Sequence, residues 1–346
     1  MKKDYIKLMY NNIPVAEFDD KFNVLQVYDY TRFNAIIDID DFIIDRIPSS
    51  SRRDIDSLLF KWGLQEYNHY GIAIKTRLVN PMDSYWLKLS EEDNLDNLTK
   101  QLIQDTKITY SPSGNNVKYY TRKGDKFGIA KKRLSPVITD TESEVVCYRL
   151  SKLLEVNCCP VEQIDSNWTF SEYLYNFNKE VFKHVRQDMV NYTGDLFDDL
   201  LKTYPDLRDD IYKMILFDFI TRQDDRHRSN IAILYTNEKR TLYPLYDNGR
   251  SLFFEDTEQF ILEAIEDIQM YSTSFGEIGT YYDCIQEIKN PQQYINLDIT
   301  KQQVLECFSG LNLPKYKVDG CVKWIQSCID FLKSKSELDE TVQGFK

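Results

Sequence analysis

The stretch 223-QDDRHRSNIAIL-234 is the most informative part of this chain, because it places two carboxylates, a histidine and an asparagine directly before an apolar run. A second apolar run, 241-TLYPLY-246, follows a short polar turn and leads into 247-DNG-249. Two apolar runs joined by a polar turn predict an antiparallel hairpin. The start of the first strand then lies beside the end of the second, so we expect Asn230 and Asp247 to be neighbours.

Asp225 lies on the loop that feeds this hairpin, five residues before Asn230. We therefore expect Asp225, Asn230 and Asp247 to converge at one end of the ribbon. Carboxylate and amide oxygens suit Mg²⁺, which completes its coordination with phosphate oxygens and water, whereas Zn²⁺ favours His and Cys. The spacing Asp-x-x-x-x-Asn is also that of a kinase catalytic loop. The pattern predicts a magnesium-dependent site for phosphoryl transfer.

Each part of this motif also has a plainer explanation. Asp224 or Asp225 could cap a helix or form an Asx-turn, and the Asn-Gly pair of the DNG triplet is a common turn. Because the predicted hairpin brings both parts of the motif together, we favour the functional interpretation. His227 is either a catalytic acid or base, or a residue that holds the loop by hydrogen bonds. Arg226 and Arg228 either contact phosphate or are exposed.

Phosphoryl transfer also needs a cation near the phosphates. The predicted strand KFGIAKK offers Lys131 and Lys132, which alternation places on opposite faces. A partner carboxylate could come from Glu142 or Glu144 on the next predicted helix, as in the Lys–Glu pair of kinases. Alternatively, Glu144 only closes a capping box with Thr141.

Composition narrows the class of protein. The chain of 346 residues carries a net charge of −12 and contains 24 Tyr and 19 Phe, which indicates a folded, acidic protein and argues against a nucleic-acid partner. We expect neither a signal peptide nor membrane association, because the first residues carry no apolar core segment and the sequence has no run of about 18 apolar residues. The seven cysteines form no CxxC pair. We therefore expect reduced, mostly buried thiols and a cytoplasmic location.

Three zones can be distinguished along the sequence. Residues 1–105 are expected to form a small α/β domain, in which 70-YGIAIKTRL-78 is predicted as a strand. Residues 106–180 show the order strand, strand, helix, strand, which is typical of a lobe built on an antiparallel sheet. Residues 181–346 are mainly helical, and include a buried helix at 207–223. A β lobe followed by an α lobe predicts an α+β fold with a ligand cleft.

The stretches DDRHRSN and YPLYDNGRSLF together resemble the HipA-like serine/threonine kinases, and within them the CtkA type. The core Asp-Arg-His-x-x-Asn is also similar to that of the phosphatidylinositol kinases, which share the fold. The resemblance covers residues 106–346. It implies a two-lobed, protein-kinase-like fold with an antiparallel β N-lobe and a mainly helical C-lobe, preceded by the small N-terminal domain. It also implies ATP and Mg²⁺ as cofactors.

Carried over position by position, the resemblance implies roles for eight residues. They are Asp225 for catalysis, Asn230 and Asp247 as Mg²⁺ ligands, Lys131 as the ATP lysine with Glu144 as its partner, and Ser111, Ser113 and Gly114 in the phosphate loop 111-SPSGNN-116. His227 is a second catalytic candidate, from the motif itself. Ser111 and Ser113 are also candidate autophosphorylation sites. The loop contains one glycine, which makes it poorer in glycine than the CtkA type.

The function implied is transfer of the γ-phosphate of ATP to a hydroxyl, with a protein Ser or Thr as the expected acceptor. Two alternatives remain open at this point. One is a lipid or small-molecule kinase, and the other is a nucleotide-binding module of the toxin–antitoxin type without turnover. The expected partners are ATP, a protein substrate that the sequence does not identify and, for the last alternative, an antitoxin-like protein.

Overall fold

The computed structural model describes residues 6–34, 36, 38–80, 84–95, 98, 116–174, 180–189, 191–236 and 239–344. The chain divides into two compact units. The first comprises Met1–Lys132 with Tyr175–Val181, and the second comprises Arg133–Leu174 with Phe182–Lys346. This division differs from the three zones drawn on the sequence, whose boundaries stay a prediction.

The first unit contains a four-stranded antiparallel sheet in the order β3-β2-β1-β4. Its strands are β1 (Ile6–Tyr10), β2 (Ile13–Phe18), β3 (Val24–Val27) and β4 (Tyr85–Lys88), and its helices are α1 (Tyr30–Asn34), α2 (Ile39–Ile44), α3 (Ile55–Trp62) and α4 (His69–Thr76). Strands β1 and β2 form a hairpin. Its turn holds Asn11 at φ 51°, a left-handed conformation that Asn tolerates. Leu8, Phe18, Ile43 and Ile72 are fully buried in the core of this unit.

Helix α4 corrects the prediction of a strand at residues 70–78. The Asn68 side chain caps the helix by accepting a hydrogen bond from the backbone N–H of Gly71 (2.9 Å). Ile72, Ala73 and Thr76 are the buried residues, a helical spacing of one and four positions. The alternating Gly-Ile-Ala-Ile segment suggested a period of two, but the cap and the burial of Ala73 favour a helix.

Strands β5 (Lys118–Lys123) and β6 (Lys126–Lys132) form the hairpin predicted around the turn KGDK. Gly124 occupies the left-handed region of this turn, at φ 64°. Lys131 lies opposite Lys118 and is partly buried, whereas Lys132 is exposed.

The second unit is mainly helical. It contains α5 (Asp140–Leu153), the hairpin of β7 (Val161–Asp165) and β8 (Trp168–Glu172), and the sheet β11-β10-β9 formed by β9 (Val181–His184), β10 (Ala232–Tyr235) and β11 (Arg240–Leu242). The other helices are α6 (Val185–Asp188), α7 (Leu196–Thr203), α8 (Arg208–Thr221), α9 (Glu258–Ala264), α10 (Tyr281–Glu287), α11 (Lys301–Glu306) and α12 (Lys315–Gly344).

Helix α8 is the buried helix predicted from its almost continuous apolar sequence. Nine of its residues are buried, and it packs against α7, α10 and α12. It ends at Arg222, whose left-handed φ of 51° closes the helix and turns the chain into the motif loop. The position of that loop is therefore fixed by the core of the second unit.

Two further expectations concern the whole chain. All seven cysteines are free thiols and all are buried, as predicted. Within the described residues, no helix combines the length and the apolar character needed to cross a bilayer.

Candidate active site

The loop after α8 is tied to the DNG segment by Gln223. The backbone N–H of Gln223 donates to the carbonyl of Asp218 (2.9 Å), which continues the end of the helix. Its side-chain oxygen accepts from the backbone N–H of Asp225 (3.0 Å), and its side-chain nitrogen donates to the carbonyl of Asp247 (3.3 Å). One buried side chain therefore contacts both halves of the predicted site.

The hairpin predicted after the motif is present. Ile233 pairs with Leu242, and the backbone N–H of Tyr243 donates to the carbonyl of Ala232 (2.9 Å). This pairing brings the start of the first strand beside the end of the second, so that Asn230 and Asp247 lie at the same end of the ribbon.

Asn230 is buried, and its amide group is oriented by the loop itself. Its side-chain nitrogen donates to the carbonyl of Asp225 (2.8 Å), and its backbone N–H donates to the carbonyl of His227 (2.7 Å). Because the nitrogen is used as a donor within the loop, the side-chain oxygen is the atom that can serve a metal ion.

Arg226 is buried, contrary to the alternative that it is exposed, and all five N–H donors of its guanidinium bond to protein groups. Its guanidinium forms a fork with the Asp218 carboxylate (2.8 and 2.9 Å), and both side chains are fully buried. It also donates to the carbonyl of Asn230 (3.2 Å), the carbonyl of Tyr246 (2.6 Å) and the side-chain oxygen of Asn248 (2.6 Å). Arg226 therefore links helix α8, the motif loop and the DNG segment.

His227 is half-exposed and hydrogen-bonded within the loop. Its Nδ1 accepts from the backbone N–H of Ser229 (3.1 Å), so that in the neutral imidazole the proton lies on Nε2. That Nε2 is 3.9 Å from Oδ1 of Asp225. The Ser229 contact matches the loop-holding role predicted as one of two alternatives for His227.

The side chain of Arg228 packs on an aromatic ring. Its guanidinium lies 3.7 Å from the centre of the Tyr192 ring.

The surroundings of Asp224 and Asp225 disfavour the ionised form of both carboxyl groups. Burial raises the pKa of Asp225, His227 and Arg250 act against this, and the Asp247 carboxylate raises that pKa further. Burial likewise raises the pKa of Asp224 to about 6, and Arg250 opposes the shift. Arg250 lies 3.3 Å from Asp224 and 3.8 Å from Asp225. A divalent cation between Asp225 and Asp247 would relieve their repulsion.

The donor set fits Mg²⁺ better than a transition metal. It consists of the Asp247 carboxylate, the Asn230 amide oxygen and the nearby Asp225, all hard oxygen ligands. Among the residues that the structure describes, no three His, Cys, Asp or Glu side chains are grouped so as to hold a metal alone. A bound Mg²⁺ would therefore take its remaining ligands from phosphate oxygens and water.

Glu144 lies against the DNG segment. Its Oε1 and Cγ are 3.4 and 3.5 Å from the position that a Cβ on Gly249 would occupy. The Ser143 hydroxyl donates to the carbonyl of Ser251 (2.9 Å), which fastens the same turn of α5 to the chain after Asp247. The structure thus brings Glu144 close to the backbone of the candidate metal segment.

Two alternatives drawn for this helix are not supported. Helix α5 begins after Thr139 without a side-chain cap, so Thr141 and Glu144 do not form a capping box. The Thr141 hydroxyl instead donates to Glu142 (2.9 Å). Glu142 is also paired with Arg133, so its carboxylate already has a cationic partner.

The roles of the other predicted residues are not tested by the contacts within this unit. Lys131 belongs to the first compact unit and Glu144 to the second, and each is described within its own unit. Ser111, Ser113 and Gly114 lie outside the described residues. Their predicted roles therefore stay predictions.

Sequence reasoning missed Asp218, Gln223 and Arg250. A signal for Asp218 was present, since it is a single acid within the otherwise apolar run MILFDFIT. A buried carboxylate requires a charged or hydrogen-bonding partner, although the sequence does not show which of the nearby arginines provides it. Gln223 and Arg250 carried no comparable signal, because polar residues in loops are ordinary.

The chain matches no known family model and no curated protein sequence at a significant level. It is similar in structure to the Helicobacter pylori proinflammatory kinase CtkA, with a TM-score of 0.51 and 13% identity over 67% of this chain and 92% of that chain. It also matches the Shewanella oneidensis toxin–antitoxin structure of HipA, HipB and operator DNA, with a TM-score of 0.47 and 14% identity over 96% of this chain and 91% of that chain.

At these identities the likeness to CtkA concerns the fold and not the activity. The antiparallel strands and the mainly helical second unit agree with the architecture expected from the sequence. The chain therefore shares the α+β fold of the CtkA structure.

Proposed function

We propose that this protein is an ATP- and Mg²⁺-dependent kinase that phosphorylates serine or threonine hydroxyls of proteins. The observation that supports the proposal most is the convergence of Asp225, Asn230 and Asp247 through the shared contacts of Gln223 and Arg226. A kinase needs this set of oxygen donors next to a carboxylate that faces the acceptor hydroxyl.

In the proposed mechanism, the Asp225 carboxylate orients the acceptor hydroxyl and accepts its hydrogen bond. Asn230 and Asp247 would hold Mg²⁺, which would supply charge stabilisation to the phosphates of ATP. The imidazole of His227, fixed by Ser229, keeps its Nε2 proton facing Asp225. Catalysis then rests on positioning and electrostatics more than on covalent chemistry.

The remaining roles come from the resemblance. Lys131 is the proposed ATP lysine and Glu144 its proposed partner. Ser111, Ser113 and Gly114 belong to the proposed phosphate loop, with autophosphorylation at one of the two serines as part of the proposal. A cytoplasmic site of action is proposed because all seven cysteines are free thiols.

A lipid kinase is the nearest alternative, and it would be expected to show a basic rim around a pocket in the helical unit. A groove of about 350 Å³ lies between the end of α9 and helices α11 and α12. Its wall carries Lys301 and Lys323, but also Glu266 and Asp330. The balance of charge gives no reason to prefer an anionic headgroup, so protein phosphorylation remains the proposal.

The test is transfer of labelled γ-phosphate from ATP to a mixture of protein substrates and, separately, to inositol-lipid vesicles. We expect label on protein with wild type, and a loss of about 10²–10⁴-fold for Asp225→Asn. Asp224→Asn is the matched control, because Asp224 is the neighbouring carboxylate and no role in transfer is proposed for it. Label on lipid alone would replace the proposed acceptor. ATP binding without any transfer would support a binding module.

A further inference from the structure

A buried ion pair lies at the junction of the segments that would form the active site. Asp218 on α8 and Arg226 in the motif loop have no exposed side-chain surface. Asp218 also accepts a hydrogen bond from the hydroxyl of the buried Tyr281 (3.2 Å). The pair is therefore anchored in the core on its carboxylate side.

The guanidinium side of the pair faces the candidate ligands. Arg226 donates to the carbonyl of Asn230, one of the proposed Mg²⁺ ligands (3.2 Å). It also donates to the carbonyl of Tyr246 and the side chain of Asn248, the two residues on either side of Asp247 (2.6 Å each). The same residue follows Asp225 in sequence, so it fixes the neighbourhood of all three proposed site residues.

Such a pair is a poor way to obtain stability alone. Removing two charges from water costs several kcal/mol per ion, and well-packed apolar residues of similar volume are often as stable or more so. The position of the hydrogen bonds gives the pair a different use, since an apolar replacement could fill the space but could not hold Asn230, Tyr246 and Asn248.

We propose that Asp218 and Arg226 are positioning residues that set the distance between the Asn230 and Asp247 ligands, and so determine the affinity for the metal–nucleotide complex. This inference rests on the proposed function. It predicts that metal–nucleotide affinity depends on the Arg226 hydrogen bonds and not on the stability of the unit in general.

Arg222 and Asp256 provide a matched comparison within the same unit. Arg222 precedes Arg226 by four residues, is largely buried and pairs with Asp256 (3.1 Å). Its guanidinium lies over the rings of Phe253 and Phe260, at 4.6 and 5.1 Å from their centres. None of its described contacts reaches Asn230 or Asp247, so its loss should affect stability without affecting metal binding.

The experiment compares two double variants. One combines Asp218→Leu with Arg226→Met, and the control combines Asp256→Leu with Arg222→Met. Ile329 is a buried residue on α12. Ile329→Val and Ile329→Ala supply controls with a smaller and a larger loss of stability. Urea unfolding measures stability for each protein. Electron paramagnetic resonance of Mn²⁺, with and without ATP, measures metal–nucleotide affinity without relying on turnover.

We expect the Asp218/Arg226 double variant to lose about 10–100-fold in affinity for Mn²⁺–ATP, the range typical of residues that orient metal ligands. The Arg222/Asp256 and Ile329 variants of equal or lower stability should bind as wild type does. Arg226→Lys, which retains the charge but not the fork, should fall between these two groups.

Two results would overturn the inference. One is wild-type Mn²⁺–ATP affinity in a folded Asp218/Arg226 double variant, and the other is an equal loss in the stability-matched Ile329 variants. If wild type binds Mn²⁺–ATP and the double variant does not, yet no acceptor is ever phosphorylated, the positioning role stands and the proposed kinase activity fails.

Discussion

The sheet of the first unit and the motif loops of the second unit are both well packed, but by different chemistry. Behind the sheet, Leu8, Phe18 and Ile72 exclude water with apolar surface. Behind the loops, Asp218 and Arg226 occupy fully buried positions where apolar residues would serve stability as well. Buried polar groups are costly unless they are paired. Their concentration around Asp225, Asn230 and Asp247 is what we expect of the proposed active site.

The largest effect on stability should come from the apolar region. Phe18→Ala removes a fully buried ring and should lower the free energy of unfolding by about 3–5 kcal/mol. Phe60→Ala is the control, since the Phe60 side chain on α3 is 87% exposed and should change stability by less than about 0.5 kcal/mol. Urea denaturation compares the two. Equal losses would mean that the sheet core does not carry the stability of this unit.

The largest effect on ligand binding should come from the polar region. Asp247→Ala removes the proposed charged Mg²⁺ ligand and should weaken Mg²⁺-dependent ATP binding by about 100-fold, the upper part of the range for metal-site residues. Binding is measured by calorimetry with Mg²⁺ and again with EDTA. Asp267→Ala, an exposed acid after α9, should have no effect. Full retention of metal-dependent binding by Asp247→Ala would remove Asp247 from the site.

A smaller, pH-dependent effect should come from Asp140, a buried acid at the start of α5. Burial raises the pKa of Asp140 to about 6, from 3.8, with the nearby Glu144 adding to the shift. The folded state therefore binds more protons than the unfolded state between pH 3.8 and about 6, so this carboxyl costs stability as pH rises through that window.

Asp140→Asn should accordingly stabilise the protein by about 1–3 kcal/mol at pH 7, and the gain should disappear near pH 4. Unfolding at both pH values measures the difference. Because the Leu134 N–H that bonds to Asp140 (3.1 Å) can also bond to an amide oxygen, the helix should be retained. A gain that is independent of pH would show that ionisation of Asp140 is not its cause.

The smallest effect should come from an ion pair at the surface. Arg240 contacts Asp206 through its Nε (3.0 Å), and both side chains are partly exposed. Arg240→Gln should cost less than about 1 kcal/mol, and the cost should shrink further in high salt. A loss as large as that of a buried pair would weaken the distinction between buried and exposed charges on which the comparison depends.

The buried helix and the hairpin of the second unit could be predicted because their sequence patterns are pronounced. The run MILFDFIT indicated a buried helix, and two apolar runs around a polar turn indicated the hairpin that brings Asn230 to Asp247. In the first unit, the segment at 70–78 was assigned to a strand because short apolar runs show a period of two and a helical period equally well. The Asn68 cap that distinguishes them acts through a single hydrogen bond.

The motif itself could be predicted, but its support could not. Asp225, Asn230 and Asp247 stand at recognisable spacings. The role of Arg226 depends on four contacts to residues eight, four, 20 and 22 positions away. Such contacts follow from tertiary packing, and a sequence pattern gives no information on which of two nearby arginines is buried. The orientation of Arg226 was therefore available only from the structure.

The most direct test of the central claim is the intact mass of the protein after incubation with ATP and Mg²⁺, with ATP consumption followed in the same samples. The account predicts that wild type consumes ATP and acquires phosphoryl groups, or passes them to an added protein substrate, whereas Asp225→Ala does neither. Consumption and phosphorylation by Asp225→Ala at the wild-type rate would contradict the account, because the carboxylate at the centre of the proposed site would then be dispensable.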